Sequence, residues 1–286
     1  METLENIYNN LTTIKERIKD FENLSREYTP FVNRLQNNIS DTSWKRKCPP
    51  HILWNCWLQG IEQAPALVQR CYKAWSERYI DYQHIFLTKD NLWDYITIHP
   101  VIREKWEAGL ISNTAFSNLV RLQLLRRYGG IWMDSTVFCT AEYLPEYMTQ
   151  RALFLFSSWT WITVDIRPIS TWLMASCPNH PLIWMVEKCL TQYWMEKDRL
   201  QTYFIFHMFF RMVIERYPSL WEAVPRYSNV PPHLMQFELS KKYDSVRYRE
   251  LQQMSPVHKL TYKLNEKTCK NSQNLYSHIL RKGTEL

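Results

Sequence analysis

A chain of 286 residues with 45% hydrophobic side chains is long enough for one large α/β domain, or one domain with a helical appendage. The net charge of +7 favours an anionic partner, namely a nucleotide diphosphate, a lipid phosphate, an anionic membrane or nucleic acid. The absence of zinc-finger spacing, an RNP motif or a dense Lys/Arg run puts nucleic acid last among these. The seven cysteines are odd in number and never form CxxC, so they read as small hydrophobes of a reducing cytoplasm, not a disulfide framework. No signal-peptide h-region opens the chain, and no apolar run reaches the roughly 18–20 residues that span a bilayer, so any membrane contact is expected to be peripheral. Thirteen Trp and 17 Tyr exceed ordinary core needs, and part of the excess is expected on a stacking or membrane-facing surface.

Residues 1 to about 40 carry Leu4, Ile7, Tyr8, Leu11, Ile14, Ile18 and Phe21 at helical spacing, with Glu and Lys between them. Such a stripe packs on the body of the protein or on another copy of itself. Lys45-Arg46-Lys47 and Pro49-Pro50 mark a boundary. His51–Trp57 is an apolar run of strand length broken by Leu58-Gln59-Gly60. A helix from Pro65 to Tyr79, a strand over Tyr82–Thr88 and a short helix at Asn91–Tyr95 follow. The segment 112–140 comes next. Ser112, Asn113 and Thr114 offer N-cap oxygens, Ala115 to Leu124 supply a broad apolar face, and Arg126 and Arg127 suit the last turn. Gly129 stands where helices stop in the left-handed conformation. Gly130-Ile131-Trp132-Met133 reads as a buried central strand, and Asp134 emerges at its carboxyl end, where open α/β sheets form their ligand crevice. An Asp in that place is also a common turn former. Arg121, amid apolar neighbours, needs a partner for its charge.

The order β, α, β, α, helix, strand makes a doubly wound Rossmann-like half. Neither GxGxxG nor GxxxxGK[ST] is present, which disfavours a dinucleotide oxidoreductase and a P-loop enzyme. Further on, Leu153–Phe156 is a strand, Ser158-Trp159-Thr160-Trp161 an aromatic connection, and Ile169–Ala175 either strand or loop. Helices are predicted from Pro181 to about Trp194 and from about Leu200 to Tyr217. The run Phe204–Arg211 reads as core or as a membrane-facing surface. His258 and Lys259 lie side by side in a segment read as a loop, either closing over a diphosphate or simply exposed and basic.

The string S-N-x-x-R-x-x-x-L-x-x-Y-G-G-I-W-x-D, from Ser117 to Asp134, resembles the signature of DXD-type sugar-nucleotide glycosyltransferases. The nearest resemblance is to the capsular polysaccharide synthesis family, relatives of glycosyltransferase family 32. It extends over roughly residues 50–265, through the Trp57-Leu58-Gln59-Gly60, Asn179-His180-Pro181 and His258-Lys259-Leu260 blocks. It implies an α/β, GT-A-like, Rossmann-type nucleotide-diphospho-sugar transferase fold. Residues 1–48 would be an N-terminal helical arm, and residues 49–286 a catalytic domain with a helical C-terminal part.

The resemblance also implies a hexosyltransferase, retaining in stereochemistry. Asp134 and Arg121 would be its catalytic pair. Trp57, Gln59, Asn118, Trp132, Ser135, Thr136, His258 and Lys259 would bind the donor, with the nucleotide base near Trp57. The cofactor would be Mn²⁺ or Mg²⁺ on Asp134, with His207 as a further ligand. Two departures bear on this. Thr136 stands where the second acid of D-x-D would be, which questions the metal, and Asn118 replaces an Asp that would pair Arg121. Lys259, Lys263 and Arg121 offer an alternative source of positive charge. The implied partners are a nucleotide sugar and a lipid-linked oligosaccharide acceptor at the inner face of the cell membrane, with no nucleic acid. A homo-oligomer through the N-terminal helix is a further expectation. The competing reading is a non-catalytic scaffold that binds nucleotide sugar or glycan.

Overall fold

The computed structural model describes residues 4–35, 42–158 and 168–282. The strands are β1 (Ile52–Cys56), β2 (Gln83–Leu87), β3 (Gly130–Met133), β4 (Val137–Cys139), β5 (Leu153–Ser157), β6 (Ile169–Ser176) and β7 (Val257–Lys259). Five of them form the central sheet in the order β2-β1-β3-β6-β5, and β4 and β7 pair in a small second sheet. β1 runs parallel to both β2 and β3, while β6 is antiparallel to its neighbours β3 and β5. The α/β fold implied by the resemblance is the one the chain adopts: a Rossmann-type parallel half is extended by an antiparallel return.

Around the sheet lie α1 (Leu4–Arg34), α2 (Ala66–Arg78), α3 (Leu92–Tyr95), α4 (Pro100–Glu107), α5 (Asn113–Arg127), α6 (Glu146–Thr149), α7 (Pro181–Glu196) and α8 (Ile205–Arg216). The C-terminal part carries five further helices between Ser219 and Lys282, with β7 the one strand among them. Every residue of β3 is buried, as expected of a strand with neighbours on both edges and layers on both faces. The two glycines before it make the abrupt entry possible. Gly129 ends α5 at φ +70°, and Gly130 starts the strand at φ +93°. Trp54 closes this corner by donating its indole N–H to the Gly129 carbonyl at 2.8 Å, which settles it as a core residue.

Several segments differ from expectation. Ile169–Ser176 is wholly strand and wholly buried. Its Ser and Thr residues weaken the apolar signal, but pairing on both edges satisfies the backbone. Helix α4 and strands β4 and β7 had no clear periodicity, being only three to eight residues long. Helix α8 starts at Ile205, later than expected. Its Ile205, Phe206, Met208, Phe209 and Phe210 are buried, so this run is core, not a membrane-facing surface. The same helix receives α1. Phe21, Leu24, Tyr28 and Val32 are buried in the shared core, the Tyr28 ring meets Phe209 edge-on at 5.3 Å, and its hydroxyl donates to Glu196 at 2.7 Å. Over this stretch the apolar stripe of α1 packs on the body of the protein. The side chains of Leu4, Ile7, Tyr8 and Leu11, and the connection Trp159–Trp161, lie outside the described residues. All seven cysteines are free thiols. Among the described residues no helix is long and apolar enough to cross a membrane.

Candidate active site

A cleft of about 350 Å³ opens at the carboxyl ends of β1 and β3. Three short pieces of chain build it. The first is Cys56–Gln59 after β1, the second the Asp134-Ser135-Thr136 turn after β3, and the third the face of α5 that carries Ser117, Val120 and Arg121. Lys259 and Tyr262 close it from the C-terminal side.

The Asp134 turn is fixed by its backbone. The Asp134 N–H donates to the Trp172 carbonyl at 2.8 Å, and the Val137 N–H donates back to the Asp134 carbonyl at 2.9 Å. Ser135 Oγ donates to the Cys56 carbonyl at 2.7 Å, tying this turn to the end of β1. The turn leads into β4, whose ladder with β7 sets Val137 opposite Lys259, and the Leu260 N–H donates to the Thr136 carbonyl at 2.9 Å. A residue 125 positions away in sequence is thereby placed beside the aspartate.

Three donors converge on the Asp134 carboxylate. Trp132 Nε1 donates to Oδ1 at 2.9 Å, Arg121 Nη1 lies 3.3 Å from the same oxygen, and Lys259 Nζ donates to Oδ2 at 2.9 Å. Lys259 Nζ also reaches Thr136 Oγ1 at 2.8 Å. Burial alone would push the carboxyl up, but Lys259 and Arg121 outweigh it and hold Asp134 below the usual carboxylate range. The group is therefore an anion at neutral pH and no reservoir for a proton. The Asp134 side chain is 26% exposed and Lys259 21%, so both remain open to a ligand.

Arg121 is deeper, with its side chain 6% exposed. Its Nη1 donates to the Thr171 carbonyl at 2.6 Å, and its Nε and Nη2 are held by the Ser117 carbonyl and hydroxyl. The guanidinium lies 4.9 Å from the Trp132 ring centre. Burial lowers its pKa while Asp134 works against that shift. The partner this buried cation requires is Asp134, so the acid missing at Asn118 leaves no deficit. The Cys56 thiol is pushed up to about 12 by burial and is no nucleophile at neutral pH.

Of the residues singled out from sequence, Asp134, Arg121, Trp57, Gln59, Trp132, Ser135, Thr136 and Lys259 all line this cleft. Three do not. Asn118 lies one position past Ser117, turned away around the helix, and Ser117 takes the place expected of it. His258 alternates with Lys259 along β7 and therefore points away from the cleft. It is fully buried with Nε2 3.0 Å from Thr140 Oγ1. His207 sits on α8 against the rings of Phe204 and Phe206. Sequence reading missed Tyr262, whose ring meets Trp57 edge-on at 5.6 Å. It also took Asn113 and Thr114 only as capping residues, although both line the cleft at the positive end of α5.

The metal implied by the resemblance can be tested against this donor set. Mg²⁺ or Mn²⁺ wants about six oxygen ligands, partly from carboxylates. Asp134 is the one acid in the described lining, and both its oxygens already accept from cations or an indole. Among the described residues no three His, Cys, Asp or Glu side chains come together. These residues do not fit such an ion.

His258 has its effect on stability instead. Burial lowers both His258 and His180 from 6.5 to about 3. Both are neutral in the fold and take up protons readily only when it opens. Stability is complete above pH 6.5 and falls as pH drops from 6.5 toward 3, by on the order of 3 kcal/mol per histidine at pH 4. Urea melts between pH 7 and pH 4 check this. A His180→Asn, His258→Asn double variant should show a flatter dependence across that window.

Comparison with curated protein sequences gives no match. Similar solved structures include one titled PaToxG glycosyltransferase, at 11% identity and a TM-score of 0.48, covering 82% of this chain and 93% of that one. Another is a glycosyltransferase involved in the glycosylation of the major capsid of PBCV-1, at 11% identity and a TM-score of 0.38, covering 80% of this chain and 99% of that one. The sequence itself matches the family described as capsular polysaccharide synthesis protein over residues 5–279, nearly its whole length, and the chain belongs to that family.

Proposed function

We propose that the protein is a glycosyltransferase that takes a hexose from a nucleotide-diphosphate sugar, a UDP-sugar in the first instance. The acceptor would be a growing capsular or surface polysaccharide unit on a lipid carrier at the cytoplasmic face of the membrane. The observation that carries this reading is the convergence of Asp134, Lys259 and Trp57 in one cleft at the carboxyl ends of parallel strands. Each meets one requirement of the reaction. Trp57, with Tyr262 at its edge, offers a flat apolar face to the base. Lys259 and the first turn of α5 offer positive charge to the diphosphate. Asp134 offers an acceptor for ribose or sugar hydroxyls.

In the transfer, the bond from the anomeric carbon to the β-phosphate oxygen breaks and a bond to the acceptor hydroxyl oxygen forms. The phosphate carries away the electron pair, and the hydroxyl proton passes to it. A retaining outcome would follow from attack on the same face as departure, which depends on positioning. The scaffold alternative drew on the charges lost at Asn118 and Thr136. Arg121 and Lys259 are both paired to Asp134, so neither cation of the cleft is left without an acid partner.

A thermal-shift screen of nucleotide sugars tests the donor, because a ligand of the folded state raises the melting temperature by mass action. A rise with UDP-glucose or UDP-galactose supports the reading, and no rise with any nucleotide sugar contradicts it. Trp57→Ala should raise the Kd for UDP about tenfold, the effect of losing one base–aromatic stack, as measured by calorimetry. Unchanged affinity would move the base elsewhere.

A further inference from the structure

The D-x-D pattern uses two acids to hold one divalent cation. Here the third position is Thr136, and the position between Asp134 Oδ2 and Thr136 Oγ1 is filled by Lys259 Nζ, at 2.9 and 2.8 Å. We infer that the cation offsetting the leaving diphosphate in this cleft is the Lys259 ammonium, and that donor binding and transfer proceed without a divalent metal. This rests on the glycosyltransferase reading and deepens it.

Four observations support the assignment. The geometry is built, because the β4–β7 ladder and the Leu260 N–H on the Thr136 carbonyl hold the lysine beside the turn. Valence fits as well. A lysine ammonium carries three N–H groups. Two meet Asp134 and Thr136, which leaves the third for a phosphate oxygen. Charge fits next. The single carboxylate of the described lining faces two cations, Lys259 and Arg121, so the cleft already holds surplus positive charge. A diphosphate gains from that surplus, whereas a divalent ion would meet like charge on both sides. Exposure, finally, separates the two roles. Arg121 is sequestered among Ser117, Thr171 and Asp134, and so positions the carboxylate, while Lys259 reaches the cleft. During transfer Lys259 keeps its proton throughout. It stabilises the charge that grows on the departing phosphate oxygen and exchanges neither proton nor electrons.

Calorimetry with UDP and GDP, in excess EDTA and then in excess Mn²⁺, tests the inference on the intact chain. Affinity for the nucleotide that binds should agree within about twofold between the two conditions, since no metal enters the equilibrium. Hydrolysis of the matching nucleotide sugar should survive EDTA to the same extent. Lys259→Met should weaken nucleotide binding by about 30-fold or more, the loss of a charge-assisted contact, while Lys259→Arg, which keeps the charge, should lose less than about tenfold. Melting temperature verifies that both variants fold. Binding that vanishes in EDTA and returns with Mn²⁺ would overturn the inference and leave the glycosyltransferase reading standing. Failure to bind either nucleotide in both conditions would overturn that reading, and the inference with it.

Discussion

Asp134→Asn should lower the proposed sugar transfer by about 100- to 1,000-fold while the protein still folds, the loss typical of removing one preorganised charged group from an active site. The amide has the shape of the carboxylate and still accepts the Trp132 indole N–H at Oδ1. What it loses is the negative charge between Lys259 and Arg121. Lys259 is then released from its station beside Thr136, and Arg121 keeps its charge with only neutral partners, the carbonyls of Ser117 and Thr171 and the Ser117 hydroxyl. Breaking one side of a buried ion pair costs about 3–5 kcal/mol. Because Asp134 is partly exposed, the cost here should be nearer 2 kcal/mol once solvent screening is allowed for. Specific activity and a denaturant melt, read on one preparation, separate the two effects. A variant that folds and retains at least half of wild-type turnover would remove Asp134 from the chemistry.

Gly130→Ala should abolish the folded state. A β-carbon there would lie 2.6 Å from the Ile52 carbonyl oxygen and 3.0 Å from Trp54 Nε1, with the backbone at φ +93°. The carbonyl belongs to the neighbouring central strand, so relief requires parting β1 from β3. Strain and clash together should cost on the order of 4 kcal/mol or more, most of the stability of a marginal domain. Gly60→Ala separates the two contributions. Its φ is +88° but nothing lies within 4 Å of the added carbon, so only the conformational cost of about 1–2 kcal/mol remains. Soluble expression and urea midpoints for the two variants check the contrast. Equal midpoints would show that a β-carbon is accommodated at Gly130 without parting β1 from β3.

Much of the site was legible because its central stretch is local. The cap at Ser112, the apolar face of α5, the paired glycines, the buried strand and Asp134 all follow one another within a few turns of chain. Trp57 and Gln59 were legible for a related reason, since the end of a first parallel strand is brought to the same crevice by topology. The rest depends on contacts that spacing does not encode. Lys259 and His258 are neighbours in sequence, yet the pleat of β7 sends one into the cleft and the other into the core. A loop reading of that segment could not separate them. Tyr262 carried no signal, because its partner Trp57 lies 205 residues earlier. The pairing of Arg121 was sought at Asn118 on its own helix and found across the sheet at Asp134. Strand β6 was ambiguous because its Ser and Thr residues are buried by pairing on both edges, a tertiary effect.

On the proposed function, one cleft binds a nucleotide-diphosphate sugar with its base at Trp57 and its diphosphate at Lys259. A crystal structure of the protein with UDP bound tests this most directly. The uracil ring should lie against Trp57 near Tyr262, with a phosphate oxygen within hydrogen-bond distance of Lys259 Nζ. A nucleotide bound elsewhere on the molecule, or a diphosphate held away from Lys259 and Asp134, would contradict it.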